Sequence, residues 1–266
     1  MRPSETDSPF SIRHDFLYLG KHLHFQGCGV ESQNMTALVS VYTDEGFVFG
    51  ADGRRLDPDR KLERDDTQKI FGCHAANLRA LFGWSGHPIL GTSQHSFDFR
   101  LNTLATISAY EKEHFKNLIE YAETIADAMN ILIQTFMTRT KAGLDPRCEE
   151  LARLAMVGYV NGKPQSVRMI LSANKGTLNP SRLDQAHNPP VPAIEVTSGH
   201  KSVYDSMVES GQMLPCSTLV DGCDLIRKYI HGCTEVPTED INTIGGHIHI
   251  AAVTPAGSQW MVPPKP

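Results

Sequence analysis

Thr36-Ala37-Leu38-Val39-Ser40-Val41-Tyr42, then Asp44-Glu45-Gly46, then Phe47-Val48-Phe49-Gly50-Ala51 and Asp52-Gly53: this stretch decides how the chain folds. A run rich in β-branched residues, a polar turn ending in glycine and a second apolar run predict two antiparallel strands joined by a tight connection. Asp52-Gly53 then reads as the turn that closes the second strand.

Working outward, residues 57–66 are charged and read as a solvated loop, while 69–72 and 79–84 read as two more short strands. A helix is expected over about 88–110. Leu118, Ala122, Ile125, Met129, Leu132 and Phe136 recur every three or four residues, which places one apolar stripe on a second, long helix. Residues 143–146 end this block with glycine and proline. Residues 154–160 and 165–173 read as a hairpin, with Asn161-Gly162 supplying the positive φ angles of a type I′ turn. Residues 189–192 form an irregular proline-rich connection. Two shorter helices, 201–209 and 218–231, precede strands at 247–254 and 259–262. Strands grouped apart from helices in this order predict an α+β fold, a four-layer αββα sandwich.

Residues 1–35 read differently: 1–9 are polar, and 27–34 resemble a linker. The expected organisation is an N-terminal extension over 1–35 (a propeptide, a tail or a mis-assigned start), a domain over 36–262 and a short tail over 263–266. A chain of 266 residues is long enough to bury a sufficient core without metal or disulfide. The net charge of −5, with no run of Lys or Arg, argues against a nucleic-acid partner. The six cysteines include no CxxC pair, so neither a zinc ribbon nor a thioredoxin-type site is indicated. No secretory signal and no apolar run of membrane-spanning length is evident, so a cytoplasmic protein with reduced thiols is expected. His247 and His249 alternate on a predicted strand, but no third ligand accompanies them, and no metal or cofactor is expected.

Four segments carry a resemblance. Thr36 to Val41 with Asp52-Gly53 resembles the opening of proteasome β-subunits and of the HslV-like peptidases, the N-terminal nucleophile (Ntn) hydrolases of that type. Thr67-Gln68-Lys69-Ile70 is similar to the family segment bearing a lysine beside the nucleophile. Phe82-Gly83-Trp84-Ser85-Gly86 is similar to the Ser-Gly element of the oxyanion hole, and Thr197-Ser198-Gly199 to a later serine-bearing loop. Asp240 stands one residue out of register with the family's late aspartate. The resemblance implies Thr36 as nucleophile, Asp52 and Lys69 as its charged partners, the Gly86 amide at the oxyanion and Ser198 beside them. It also implies a peptide or unfolded-protein substrate, assembly into a homo-oligomeric ring, and room for a regulatory ATPase.

A threonine hydroxyl is a weak nucleophile until a base takes its proton, and a free α-amino group, titrating near about 7.7–8.0, is such a base at neutral pH. Thr36 must then be the first residue, and Met35 before it suggests trimming after an internal start, or proteolysis. Two other readings share this fold: a non-catalytic ring subunit that keeps its extension, and an amidase for small molecules.

Overall fold

Strands β1 (Leu38–Thr43) and β2 (Gly46–Ala51) are buried along almost their whole length, so the sheet that holds them must be covered on both sides. The computed structural model describes residues 36–56, 61–86, 89–91, 96–140, 144, 150–187, 193–236 and 243–265. After β2 come β3 (Arg55–Leu56), β4 (Leu62–Arg64), β5 (Ile70–Ala75), β6 (Leu78–Gly86), β7 (Ile89–Gly91) and β8 (Ser96–Asp98). Helices α1 (Phe99–Ala109) and α2 (Leu118–Thr140) follow, then β9 (Glu150–Val160), β10 (Lys163–Asn174), β11 (Thr177–Leu178), β12 (Arg182–His187) and β13 (Ala193–Ser198). The chain ends with α3 (Lys201–Glu209), α4 (Leu219–Thr234), β14 (His249–Thr254) and β15 (Gly257–Val262).

Two antiparallel sheets result. The first has the order β13-β1-β2-β14-β15; the second runs β11-β10-β9-β6-β5, with β12 also paired to β10. The period-two alternation of a strand divides the side chains among three cores. On β1, Val39 and Val41 pack with Ile226 and Tyr229 of α4, while Leu38 joins Phe49, Leu81 and Val157 between the sheets. On β6, Phe82 and Trp84 turn the other way, into a core with Phe99 of α1 and with Leu118 and Ile125 of α2. The layers are therefore helices, sheet, sheet, helices, the expected αββα sandwich. Gly50 shows how closely the first pair of layers approach: a Cβ there would lie 2.3 Å from Ile226 Cγ2.

Several local expectations hold. Asn161 and Gly162 have φ angles of 51° and 74°, as a type I′ turn requires. Helix α3 has the expected bounds, and α4 starts at a capping box formed by Thr218 and Asp221. The structure departs from the sequence reading in three places. The helix expected from about 88 begins only at Phe99, because the Asp98 carboxylate accepts the amides of Arg100 and Leu101 and caps it there; β7 and β8 pair upstream. Within the charged stretch 57–66, β4 pairs with β3 as a small exposed hairpin, held by an Arg55–Glu63 ion pair of 2.8 Å. Strands β12 and β13 were not expected. Their sequences are mixed in polarity, and ladders to β10 and β1 make them strands. The extension 1–35, the 189–192 connection, Asp240 and, apart from Leu144, the 143–146 breaker lie outside the described residues. Among the described residues no helix is long and apolar enough to cross a membrane.

Candidate active site

Thr36 lies two residues before Leu38 on the face of β1 that looks between the sheets, and it is 4% exposed. Asp52 follows the last residue of β2. The β1–β2 register pairs Leu38 with Ala51, so the next step sets Asp52 beside Ala37, and the Asp52 amide donates to the Ala37 carbonyl at 3.3 Å. The Asp52 side chain is fully buried, yet both carboxylate oxygens are occupied. Oδ1 accepts from the Ala37 amide at 2.8 Å and from Lys69 Nζ at 3.0 Å. Oδ2 accepts from the amides of Arg54 and Gly245, each at 3.1 Å. A buried charge is tolerable when paired and hydrogen-bonded in this way.

Lys69 stands one residue before β5 and is likewise buried. Its Nζ also donates to Thr36 Oγ1, at 3.1 Å, so a single ammonium bridges hydroxyl and carboxylate. Burial pulls the Lys69 pKa below the ordinary lysine value. The negative Asp52 opposes that shift, while Arg100 and Arg54 add to it.

The loops behind this trio are stitched together. Gly53 donates to the Gly245 carbonyl at 3.1 Å, and Thr67 to the Gly53 carbonyl at 2.9 Å. His247 donates its amide to the Asp65 carbonyl at 2.6 Å, and Arg54 grips Asp65 through Nε at 2.7 Å. Gly246 has a φ of 76°, and a Cβ there would sit 2.3 Å from the Asp65 carbonyl oxygen, so only glycine fits.

Gly86 ends β6 with a φ of 98°, and a Cβ on it would approach the Leu151 carbonyl oxygen to 2.9 Å. Strand β6 passes close to the trio: a Cβ on Gly83 would lie 2.9 Å from Leu38 Cδ1 and 3.1 Å from the Lys69 carbonyl oxygen. Since Gly83 pairs with Ile70 in antiparallel register, the strand end at Ser85-Gly86 runs on past Lys69. Ser198 closes β13 opposite Leu38, as a strand end rather than in the loop that its sequence suggested. The buried hydroxyls of Ser198, Ser85 and Thr67 make no hydrogen bond among the described residues. Of the five residues singled out in the sequence, Thr36, Asp52 and Lys69 are thus in direct contact, and Gly86 and Ser198 are not bonded to them. A cleft of about 380 Å³ opens beside Ser198, lined by Gly199, Glu195, Arg168, Lys201 and Tyr204 among others.

Sequence reasoning missed two members of this neighbourhood. The Gly245 amide reaches Asp52 from 193 positions away, and only the Gly-Gly pair hinted at a special backbone there. The fully buried His249 accepts the Lys69 amide on Nε2 at 2.8 Å, whereas the ring of His247 turns to the Pro263 carbonyl. The two histidines therefore have separate partners.

No protein-family model matches this sequence, and no curated protein matches it. Solved structures do. An Anbu Gly-1 mutant from Hyphomicrobium sp. strain MC1 superposes with a TM-score of 0.52 at 11% identity, covering 82% of this chain and 80% of its own. Anbu, the ancestral beta-subunit, from Yersinia bercovieri gives a TM-score of 0.52 at 9% identity, over 85% of this chain and 87% of that one. Eukaryotic HslV from Trypanosoma brucei follows at 0.42 and 11% identity, over 82% and 99%. At such identities the likeness concerns the backbone alone, and in its backbone the chain has the proteasome-like fold of the Ntn hydrolases.

Proposed function

We propose that the chain is a threonine-type peptidase that hydrolyses peptide bonds with Thr36 as its N-terminal nucleophile, once residues 1–35 have been removed. One observation carries this reading: a buried ammonium, Lys69 Nζ, lies 3.1 Å from Thr36 Oγ1 and 3.0 Å from Asp52 Oδ1. Charged groups are seldom buried on a small hydroxyl without a chemical use for it.

In the mature form the Thr36 amine takes the Oγ proton as Oγ attacks the scissile carbonyl carbon. Lys69 keeps the Oγ oriented and, as a neighbouring cation, favours the neutral amine; Asp52 holds Lys69 in place. The negative charge that develops on the carbonyl oxygen is met by the Gly86 amide, a donor of the kind worth about 3–4 kcal/mol. The carbon–nitrogen bond then breaks as the Thr36 ammonium returns its proton to the leaving nitrogen. Water hydrolyses the resulting ester and restores the threonine. The cleft lined by Ser198, the strand neighbour of Leu38, offers room for part of a substrate.

Self-assembly into a ring belongs to the same proposal. Leu101 on α1 and Ile131 on α2 are large apolar side chains, 66% and 63% exposed on the outer helical layer, where a neighbouring copy would cover them. Native mass spectrometry tests both parts. The mass of the protein from its host is expected to start at Thr36, in a closed oligomer, and a fluorogenic peptide should be cleaved by it and not by Thr36→Ala. A chain that retains residues 1–35 and cleaves nothing would overturn the peptidase reading in favour of a non-catalytic ring subunit.

A further inference from the structure

We propose that His249 is a positioning residue for Lys69, acting through the main chain of that lysine; the proposal rests on the site reading above. The ring lies wholly inside the protein on the first residue of β14, and its Nε2 accepts the Lys69 amide hydrogen at 2.8 Å. A nitrogen that accepts carries no proton, so the neutral ring holds its hydrogen on Nδ1. That Nδ1 makes no well-formed hydrogen bond among the described residues, and has only a weak interaction with the His247 backbone. A buried donor so weakly partnered is unfavourable, and an aliphatic or phenyl side chain would fill the same space without it. What His249 offers that an apolar residue does not is the acceptor.

The acceptor matters because of where Lys69 stands. β5 begins one residue later, so the Lys69 amide lies just outside the strand, and it finds its partner across the gap in the other sheet. A lysine side chain has a long flexible stem, and its ammonium reaches a defined point only if its Cα is held. Here the backbone end is tied to His249 and the ammonium end to Thr36 and Asp52. The surroundings keep the ring an acceptor. Burial, chiefly, with the charges of Lys69 and His247, pushes its pKa down to about 3 against a weaker opposing pull from the His247 backbone, and Trp260 packs its ring edge-on with centroids 6.4 Å apart.

The test compares the mature chain, beginning at Thr36, with its H249F variant, which keeps a ring and removes the acceptor, and its H249Q variant, whose amide oxygen restores one. Long-range ¹H–¹⁵N NMR reads the His249 tautomer and the Lys69 amide shift; acylation of Thr36 by a peptide β-lactone, followed across the neutral pH range, reads the site. Expected are the Nδ1–H tautomer in the wild type, and a displaced Lys69 amide in H249F with acylation roughly ten- to a hundredfold slower and an altered pH profile. H249Q should recover most of both. An Nε2–H tautomer, an unmoved Lys69 amide in H249F, or acylation of H249F at the wild-type rate would each overturn the proposal. Should the wild type itself resist acylation, the hydrolase reading falls alone, and the NMR comparison still decides the link from His249 to Lys69.

Discussion

Two flanks of Thr36 are built in opposite ways. On one, Asp52 accepts four hydrogen bonds, Lys69 is tied at both ends, and the loops at Arg54, Asp65 and Gly245 are cross-linked by backbone bonds. On the other, Ser198 and Ser85 hold buried hydroxyls that bond to no described residue, and Ser198 lines an open cleft. Buried polar groups are normally paired, so a saturated flank beside an unsatisfied one separates a rigid frame from groups free to bond with something that enters. The frame holds Thr36.

That contrast is open to attack by substitution. Thr36→Ala should remove peptide turnover by roughly 10³-fold or more while leaving the fold intact, as initial rates and circular dichroism will show. Asp52→Asn keeps the shape of the saturated flank but strands the Lys69 charge. It is expected to lower stability in urea by about 3–5 kcal/mol and to suppress turnover with it. An unchanged urea midpoint would mean that the frame does not depend on its central carboxylate.

Acid should attack the frame as well. The folded-state pKa of His249 is pushed from 6.5 to about 3, chiefly by burial. Between those values the unfolded chain binds a proton that the folded chain refuses, so this group makes stability fall as pH drops from 6.5 towards 3 and is without effect above that window. Denaturation midpoints measured across the window should decline in the wild type and decline less in H249F. The unsatisfied flank predicts the smallest effect. Ser85→Ala deletes a buried hydroxyl with no partner, so stability should change by less than about 1 kcal/mol or rise slightly. A large loss would reveal a bonded serine, and the two flanks would no longer differ.

The same contrast explains what could be read in advance. Thr36 and Asp52 lie on one hairpin legible from its local pattern, while the meeting of both with Lys69 was legible only through the resemblance to a known family. Asn161-Gly162 and the Lys201–Glu209 helix were legible too, because turn chemistry and apolar spacing are local signals. Gly245 and His249 were not, since each acts through a partner 193 or 180 positions away. Strand β13 escaped for a related reason. Its residues alternate weakly, and its strand character comes from the ladder to β1. The hairpin β7–β8 was mistaken for helix because the start signal, Asp98, sits well inside the expected span.

The late position of β14 has one more consequence. During synthesis the ribosome delivers Thr36, Asp52 and Lys69 early, but Gly245 and His249 emerge only near the end of translation. Until then the carboxylate lacks one of its donors and the lysine lacks its backbone anchor, so a nascent or truncated chain carries Thr36, Asp52 and Lys69 without the contacts that fix their geometry.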